Sequence, residues 1–433
     1  MPIPIVEASD ALRQFAASFA ACFTAAGYLH FVTVLLGLIQ APERRTLSGL
    51  RRCVVGAGSL SALSRFCTSS AWTAALLAET WQARFHQQLA PWIPAEHARQ
   101  RAARPRRRGR PTPTRVTAYA IFDDSPIAKH AQGRKAPMAG VGRHYSTSAG
   151  GVVTGHSLFA GLLVLLGRRC PLPPRLYRQR AVAEREGVPF RSKVDLAVEA
   201  VEQLRPLPGT ETHVLVDAWY TCRRLWRAAL GRGFRITGGL RANRRLRLPD
   251  PERPGQARQV RLSAYVAGLG PGDFVLVPWR GRLVAAHLVR TFVYKLGACQ
   301  VLVVKEAPDA PPGTARCWAS SDLEADVATV ARHAATRWEV ETFLQEQKEL
   351  LGLDHYQMTS AEGIERFWYL VACCYLYLDE VRAGLAAGGQ TNPTLGDAQR
   401  HEQAVHQHRL LTWLRGQFLH GATVDYVQQR LTA

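Results

Sequence analysis

The sequence predicts an α/β protein whose core is interrupted by a β-rich insertion and flanked by helical regions. Apolar residues recur at helical spacing near both ends of the chain. Short apolar runs alternate with helical segments from 116 to 243, and β-like runs dominate from 244 to 322. The predicted segments are 1–98 (helical N-terminal region), 99–115 (basic linker), 116–243 (core, first part), 244–322 (β-rich insertion), 323–385 (core, second part) and 386–433 (helical C-terminal region).

The charge balance is the most informative property of the composition. The 433 residues are 47% hydrophobic and 21% charged, which fits a globular protein and excludes a disordered, collagen-like or small disulfide-stapled one. Lys and Arg number 55 against 34 Asp and Glu, which gives a net charge of +21, and 49 of the 55 are arginine. A GC-rich coding sequence explains Arg in place of Lys, but not the positive excess. The excess predicts a polyanionic partner, with nucleic acid as the first candidate.

Cysteine usage and apolar runs predict an intracellular protein. The nine cysteines form no CxxC pair and no zinc spacing, and an odd count fits a reducing compartment. The N-terminus, MPIPIVEASD, lacks the basic and apolar regions of a signal peptide. The apolar runs at 28–40 and 367–378 are too short to span a bilayer. We expect a soluble, intracellular protein with no membrane partner.

The N-terminal region reads as helical from about residue 9 to residue 90. Ser9 is a plausible N-cap, and apolar residues follow it at helical spacing from Leu12 to Phe23. A second helical segment spans about 47–85 and is broken by two glycines. A small DNA-reading domain and a plain helical cap on a catalytic core remain equally open.

The linker holds seven arginines between residues 99 and 110, among them Arg106, Arg107 and Arg108. Three prolines break any helix there. Such a run can follow a phosphate backbone without reading sequence. The alternative is a merely solvated linker, and the overall charge favours phosphate contact.

The first part of the core has the predicted order β-β-β-α-β-α-β. These elements are strands at 117–122, 151–166 and 175–177, a helix at 192–204 with Ser192 as N-cap, a strand at 213–216, a helix at 221–230 and a strand at 234–237.

The second half of the chain is predicted to be β-rich and then helical. The insertion shows β-like runs at 274–279, 283–293, 301–304 and 317–319, with no helical period. One long helix is predicted at 331–351, followed by helices at about 361–385 and 398–430.

Three carboxylates are candidates for metal-dependent chemistry. Asp124 and Asp217 each follow a predicted strand, and neighbouring strands would bring both to one edge of the sheet. Glu341 shares one helix face with Arg337 and Lys348, since these residues are separated by four and seven positions. Phosphoryl transfer commonly uses two divalent metals about 4 Å apart, held by carboxylates. The flanking cations suit phosphates.

Three segments together resemble bacterial insertion-sequence transposases of the DDE class. They are Ile-Phe-Asp-Asp-Ser-Pro at 121–126, Val-Leu-Val-Asp-Ala-Trp-Tyr at 214–220, and Arg337-x3-Glu341-x6-Lys348. The last matches the spacing of the signature Tyr-x2-Arg-x3-Glu-x6-Lys, except that Ala334 stands at the Tyr position. The resemblance covers about residues 116–380 and extends more weakly to 46–81.

The resemblance implies a ribonuclease H-like core and a metal site. Asp124, Asp217 and Glu341 would be catalytic and would hold two Mg²⁺ ions, with Mn²⁺ able to substitute. Asp124 is preferred over Asp123 because Ser125 then fits the slot that is usually Thr.

The resemblance also implies DNA contacts. Arg337 and Lys348 would hold a phosphate near the cut end, and the insertion would support a hairpinned or flipped end. Trp279 and Trp318 are possible stacking residues there, although packing in a core is the favoured interpretation. Trp219 and Tyr220 are expected to pack under the site.

Basic residues in the loop after the first strand, Lys129, Arg134, Lys135 and Arg143, and those after the strand at 234–237, Arg241, Arg244 and Arg245, are further candidates for DNA contact.

The function expected from the sequence is therefore a DNA transposase acting on double-stranded DNA, both terminal repeats and target. It would be a homodimer on paired ends. A domesticated or inactive DNA-binding protein and a nuclease that joins nothing are the alternatives. The survival of all three carboxylates favours the active enzyme.

Overall fold

A computed structural model describes residues 4–42, 44–103, 114–129, 137–250, 252–253 and 255–432. Its helices are α1 Asp10–Ala17, α2 Ala25–Gln40, α3 Leu47–Cys53, α4 Leu60–Thr68, α5 Ala74–Leu89, α6 Trp92–Ala102, α7 Arg180–Arg185, α8 Lys193–Gln203, α9 Arg223–Gly231, α10 Leu262–Ala267, α11 Val327–Thr336, α12 Glu339–Leu351, α13 Ala361–Ala387, α14 Leu395–Leu419 and α15 Val424–Thr432. Its strands are β1 Thr117–Ala128, β2 Gly142–Ser146, β3 Gly151–Leu165, β4 Arg168–Tyr177, β5 Glu211–Val216, β6 Arg235–Leu240, β7 Arg245–Pro249, β8 Ala257–Arg261, β9 Val275–Trp279, β10 Arg282–Val293, β11 Gly297–Lys305 and β12 Arg316–Ser320.

The core sheet has the order β4-β3-β1-β5-β6. Strands β1, β5 and β6 are parallel, whereas β3 and β4 pair antiparallel to their neighbours. Helix α8 leads from β4 into β5, and α9 connects the parallel strands β5 and β6. This is the ribonuclease H-like arrangement, so the predicted fold class is confirmed.

The first strand does not end at its two aspartates, as the sequence suggested. β1 pairs with β5 only as far as Ile121, but it stays paired with β3 up to Ala128. The antiparallel partner keeps the chain extended through Asp123 and Asp124. The sheet therefore opens on one side of β1 at the aspartates, and this opening forms the cleft described below.

The insertion continues the core sheet instead of forming a separate one. β12 pairs antiparallel with β6, and β11, β10, β7 and β8 follow in order. The sequence prediction missed β7, β8 and the six-residue helix α10. Arginines at the exposed positions of β7 and β8 conceal their strand pattern, and α10 is too short to show a helical period.

The predicted long helix is two helices, α11 and α12, which meet at Arg337 and Trp338. The backbone tightens there, because the amides of Trp338 and Glu341 each bond to the carbonyl three residues earlier. Trp338 is half-exposed, and the guanidinium of Arg280 lies 4.0 Å from its ring centre. The turn separates the two helices just before Glu341.

The terminal helices pack around α13, a 27-residue helix buried over most of its length. α13 contacts β4, α2, α4, α5 and α14, and one hydrophobic core includes residues from all these elements. The N-cap predicted at Ser9 is present, and Ser9 Oγ also donates to Glu402 of α14 at 2.9 Å. The N-terminal helices thus share one hydrophobic core with the sheet, and their reading of DNA stays a prediction. Within the described ranges, none of the helices has the length and apolarity needed to cross a membrane.

Candidate active site

A cleft of about 1680 Å³ opens where β1 separates from β5. Its walls include the three predicted carboxylates, Asp124, Asp217 and Glu341, together with Asp123. Seven of its described lining residues are basic: Arg143, Lys193, Arg241, Arg244, Arg245, Lys295 and Lys348. The fold therefore brings together the carboxylates that the sequence singled out, and surrounds them with cations.

Asp217 is fixed at the end of β5 by the turn that follows it. Its Oδ1 accepts hydrogen bonds from the backbone amides of Trp219 and Tyr220 at 2.9 and 3.0 Å. This Asx-type turn holds the carboxylate at the strand end. Gly239 on β6 allows the close approach, because a Cβ there would lie 2.9 Å from the backbone nitrogen of Ala218.

The two aspartates of β1 have different partners because successive strand residues point to opposite faces. Asp124 accepts from the Tyr220 hydroxyl at 3.0 Å and pairs with Lys193 at the start of α8. Asp123 pairs with Arg337 at 3.1 Å, on the side of the strand that faces α12. Ser125, two residues further along that face, accepts from Lys348 Nζ at 2.7 Å.

Arg337 joins two acidic side chains of the cleft. Its Nη1 contacts Asp123 Oδ2 at 3.1 Å, and its Nη2 contacts Glu341 Oε1. The predicted shared face of Arg337, Glu341 and Lys348 therefore turns toward β1 despite the break between α11 and α12. One guanidinium bridging both carboxylates places Asp123 and Glu341 close together.

Burial shifts the pKa values of several ionisable side chains in the site. It raises the pKa of the Asp123 carboxyl to about 7; the Arg337 guanidinium opposes this rise, and the charge of Asp217 adds to it. Burial also lowers the pKa of the Lys348 ammonium. It raises the pKa of the Tyr220 hydroxyl, and the charge of Asp124 raises it further. Negative charge gathered in this low-dielectric site favours a bound cation.

The donor chemistry suits a hard divalent cation, since the acidic side chains of the cleft offer only oxygen ligands. Three of these side chains are, however, paired with cations, namely Asp123 and Glu341 with Arg337 and Asp124 with Lys193. Among the described residues, no group of three or more His, Cys, Asp or Glu side chains is placed to hold a metal ion. Binding of an ion by Asp123 or Glu341 would require Arg337 to move aside, and binding by Asp124 would require Lys193 to do so.

Several aromatic predictions can be compared with the structure. Trp279 and Trp318 pack against each other, with ring centres 5.1 Å apart, in a second core between the insertion and α11. This agrees with packing rather than base stacking. Tyr220 is buried as expected, but the expectation for Trp219 is wrong: it is 59% exposed and lines the cleft, because the turn after Asp217 directs it outward.

The remaining basic candidates fall into three groups. Arg106, Arg107, Arg108, Arg134 and Lys135 lie outside the described residues. Arg143, Arg241, Arg244 and Arg245 line the cleft. Lys129 is instead buried and donates to the carbonyls of Asp354 and Tyr356 at 2.6 and 2.9 Å, so it serves the fold rather than the cleft.

Sequence reasoning missed Lys193, whose partner Asp124 lies 69 residues earlier in the chain. The only local signal was its position directly after the N-cap Ser192. It also missed Tyr145 and Tyr294, which line the same cleft from the β2–β3 hairpin and from the turn between β10 and β11.

Two family models match the sequence. The model described as DDE superfamily endonuclease matches residues 18–265, and the model described as transposase DDE domain matches residues 191–377. No curated protein matches. Neither match tests the Tyr-x2-Arg-x3-Glu-x6-Lys signature, which stays a prediction.

Among solved structures, the chain is similar to the piggyBac transposase in its synaptic complex with hairpin DNA. The sequences are 15% identical and the TM-score is 0.40. The match covers 73% of this chain and 57% of the piggyBac chain, so it spans little more than half of that protein. The endonuclease model covers more than half of the 433 residues, and the protein therefore belongs to the DDE superfamily of endonucleases and transposases.

Proposed function

We propose that this protein is a DNA transposase that cuts at the ends of an insertion element. It then transfers the freed 3′-OH ends to target DNA by two-metal phosphoryl transfer. The observation that carries the proposal is the cleft itself, in which Asp217, Glu341 and the two β1 aspartates face a group of cations. A carboxylate cluster that binds metal, beside cations that bind phosphate, is the equipment this reaction needs.

Asp217 and Glu341 would hold the ions together with one aspartate of β1. The sequence favoured Asp124, whereas the contacts favour Asp123, because Arg337 bridges Asp123 and Glu341. When bound, Mg²⁺ or Mn²⁺ would lower the pKa of the attacking water and stabilise the leaving oxygen. No covalent intermediate with the protein is required.

The basic side chains would hold the DNA. Lys348 lies against Ser125 on the face of β1 that meets α12, so its ammonium is fixed near the carboxylates and suited to a phosphate of the cleaved strand. Arg337 would exchange its carboxylate partners for a phosphate once the metals are bound. Arg106, Arg107, Arg108 and Lys135 would also contact the DNA backbone, in keeping with the net charge of +21.

The strand-transfer reaction joins two element ends to one target, so we propose a homodimer on paired ends of double-stranded DNA. The alternative is a domesticated, inactive protein that grips DNA without cutting. The acidic side chains of the cleft speak against it, since a protein that only binds DNA gains nothing from negative charges beside the phosphates.

Cleavage of a labelled duplex carrying the terminal repeat that flanks the coding sequence tests the proposal. With Mg²⁺, we expect the wild type to cut at the repeat boundary and Glu341→Gln to fail. Glu349→Gln is the matched control, because Glu349 is an exposed residue of the same helix that also lines the cleft. Equal DNA binding by all three proteins with no cutting, also in Mn²⁺, would establish the inactive binding protein instead.

A further inference from the structure

Polar side chains gather on the face of β1 that carries Asp124, on the side of the strand away from Asp123 and α12. The strand register places Ser157 of β3, Tyr177 of β4 and His144 of β2 on this same face of the sheet. Lys193, the first residue of α8, reaches the group from the helix and pairs with Asp124. All five residues line the cleft, and we call this group the α8 face of β1.

Two buried polar atoms on the α8 face of β1 lack a partner. Ser157 is 1% exposed and His144 is 7% exposed, yet Ser157 Oγ and His144 Nε2 form no hydrogen bond with the described residues. Burial of a polar group without a hydrogen bond is unfavourable, and such groups are normally satisfied by water or by a bound molecule. Because both residues line the cleft, a ligand that enters the cleft can satisfy them.

The ammonium of Lys193 is held in a defined position beside these two atoms. It pairs with Asp124 Oδ2, and it lies 5.2 Å from the ring centre of Tyr177. The other carboxylate oxygen of Asp124 accepts from the Tyr220 hydroxyl at 3.0 Å, which fixes the carboxylate. A capping box at Ser192 fixes the start of α8. An ammonium has three N–H donors, so the contact with Asp124 leaves donors for a ligand.

An ammonium, a hydroxyl and an imidazole that carries its proton on Nε2 are all hydrogen-bond donors, and together they suit a phosphate. Lys193 and Lys348 contact the neighbouring residues Asp124 and Ser125 from opposite faces of β1, so the strand separates their two ammonium groups.

We propose that Lys193, Ser157 and His144 form a second phosphate site, which binds a phosphodiester group of DNA on the α8 face of β1. Asp124 then serves to position Lys193. The assignment rests on the proposed function, since it names a further part of the DNA that the same cleft accepts. The phosphodiester group belongs either to the element end or to the target DNA, and the two sources share the same chemistry.

Fluorescence anisotropy in EDTA tests the proposal, because it measures DNA binding without metal and without cleavage. We expect Lys193→Met to weaken binding about tenfold, as for the loss of one charged hydrogen bond. The slope of log K against log salt concentration should fall in magnitude by about 0.9, as for the loss of one phosphate contact. Lys193→Arg should retain most of the affinity because it keeps the charge.

Asp124→Asn is the matched control, because it breaks the same ion pair but keeps the cation. It should bind DNA at least as tightly as the wild type, since it removes a negative charge. Lys193→Met/Asp124→Asn leaves no buried carboxylate without its cation, and it should show the same loss as Lys193→Met. Equal losses in Lys193→Met and Asp124→Asn would show that Lys193 only supports the local fold, and would overturn the site. Full affinity in the double variant would overturn it as well.

Two labelled duplexes distinguish the sources of the phosphate. The first carries the terminal repeat and is added to the free protein, and the second is a target duplex added to protein saturated with unlabelled repeat. A loss in Lys193→Met for the first duplex assigns the phosphate to the element end, and a loss confined to the second assigns it to the target. Unchanged affinity for both duplexes would overturn the site.

Cleavage of the repeat duplex by the wild type in Mg²⁺ is measured on the same preparations. Absence of cleavage, with the loss of binding in Lys193→Met still present, would overturn the proposed function but leave the phosphate site. Cleavage together with unchanged binding by Lys193→Met would overturn only this inference.

Discussion

Lys348 donates to Ser125 across the gap between α12 and β1, with 2.7 Å between Nζ and Oγ. The contact fixes the helix that carries Glu341 against the strand that carries both candidate aspartates. Among the described residues, the hydrogen-bond partners of this half-buried ammonium are neutral, because Lys348 additionally contacts only the carbonyl of Pro126, at 3.4 Å. Under the proposed function, a cation held in this way would be available to an incoming phosphate.

Lys348→Met should therefore slow DNA cleavage strongly but change the stability of the folded protein only slightly. We expect a loss of about 10²-fold in the single-turnover rate, as for removal of one strong electrostatic contact to a transition state. The thermal unfolding midpoint should change by only a few degrees. Ser125→Ala is the control, since it removes the contact but keeps the charge. A larger rate loss in Ser125→Ala than in Lys348→Met would contradict this assignment.

Metal binding should stabilise the folded protein through the carboxylates of the cleft. At 100 times the dissociation constant, a bound ion adds about 2.7 kcal/mol to the free energy of unfolding. We expect Mn²⁺ to raise the thermal midpoint of the wild type and of Glu349→Gln, but not of Asp217→Asn. Calorimetry of the proteins with and without EDTA measures the shift.

The rise in the thermal midpoint caused by Mn²⁺ also distinguishes the two aspartates of β1. The contacts predict that Asp123→Asn loses the Mn²⁺-dependent stabilisation and that Asp124→Asn keeps it, because Arg337 joins only Asp123 to Glu341. If only Asp124→Asn lost the Mn²⁺-dependent rise in the thermal midpoint, the metal ligand would be Asp124, as the sequence analysis predicted.

Asp123 should make stability depend on pH in the absence of metal. Burial raises the pKa of its carboxyl to about 7, whereas the unfolded chain has a value near 4. Between these values the native state retains a proton that the unfolded state releases, so the free energy of unfolding falls as the pH rises from about 4 to about 7. Asp123→Asn should remove about 1–3 kcal/mol of this decline. Urea denaturation in EDTA across this pH range measures the free energy of unfolding. An equal fall in the wild type and in Asp123→Asn would show that Asp123 does not cause the pH dependence.

Gly239→Ala should disturb the end of β5. The added Cβ would lie 2.9 Å from the backbone nitrogen of Ala218, which no side-chain motion can relieve. We expect a loss of about 1–3 kcal/mol in stability and reduced cleavage, because Asp217 is the neighbour of Ala218. Gly384→Ala on α13 is the control, since a Cβ there meets nothing within 4 Å and should stabilise the helix by about 0.5–1 kcal/mol. If Gly239→Ala left the stability unchanged, this would mean that β6 can shift away from Ala218 at no cost.

Elements with local signals were predictable from the sequence, and those that depend on distant partners were not. The caps at Ser9 and Ser192 follow from residue type and position, and both are present. The shared face of Glu341 and Lys348 follows from helix periodicity alone. The true end of β1 depends on its pairing with β3, and the partner of Asp124 depends on where α8 packs. Such contacts arise only in the folded chain.

The continuity of the sheet from β6 into β12 has a mechanical consequence. Hydrogen bonds between Cys317–Ser320 and Thr237–Leu240 attach the insertion rigidly to the strand next to β5. The two walls of the cleft cannot swing apart about a single flexible loop without breaking this ladder. A displacement of the insertion would therefore be transmitted through β6 to the strand that ends at Asp217, so that the position of the insertion and the alignment of the carboxylate vary together.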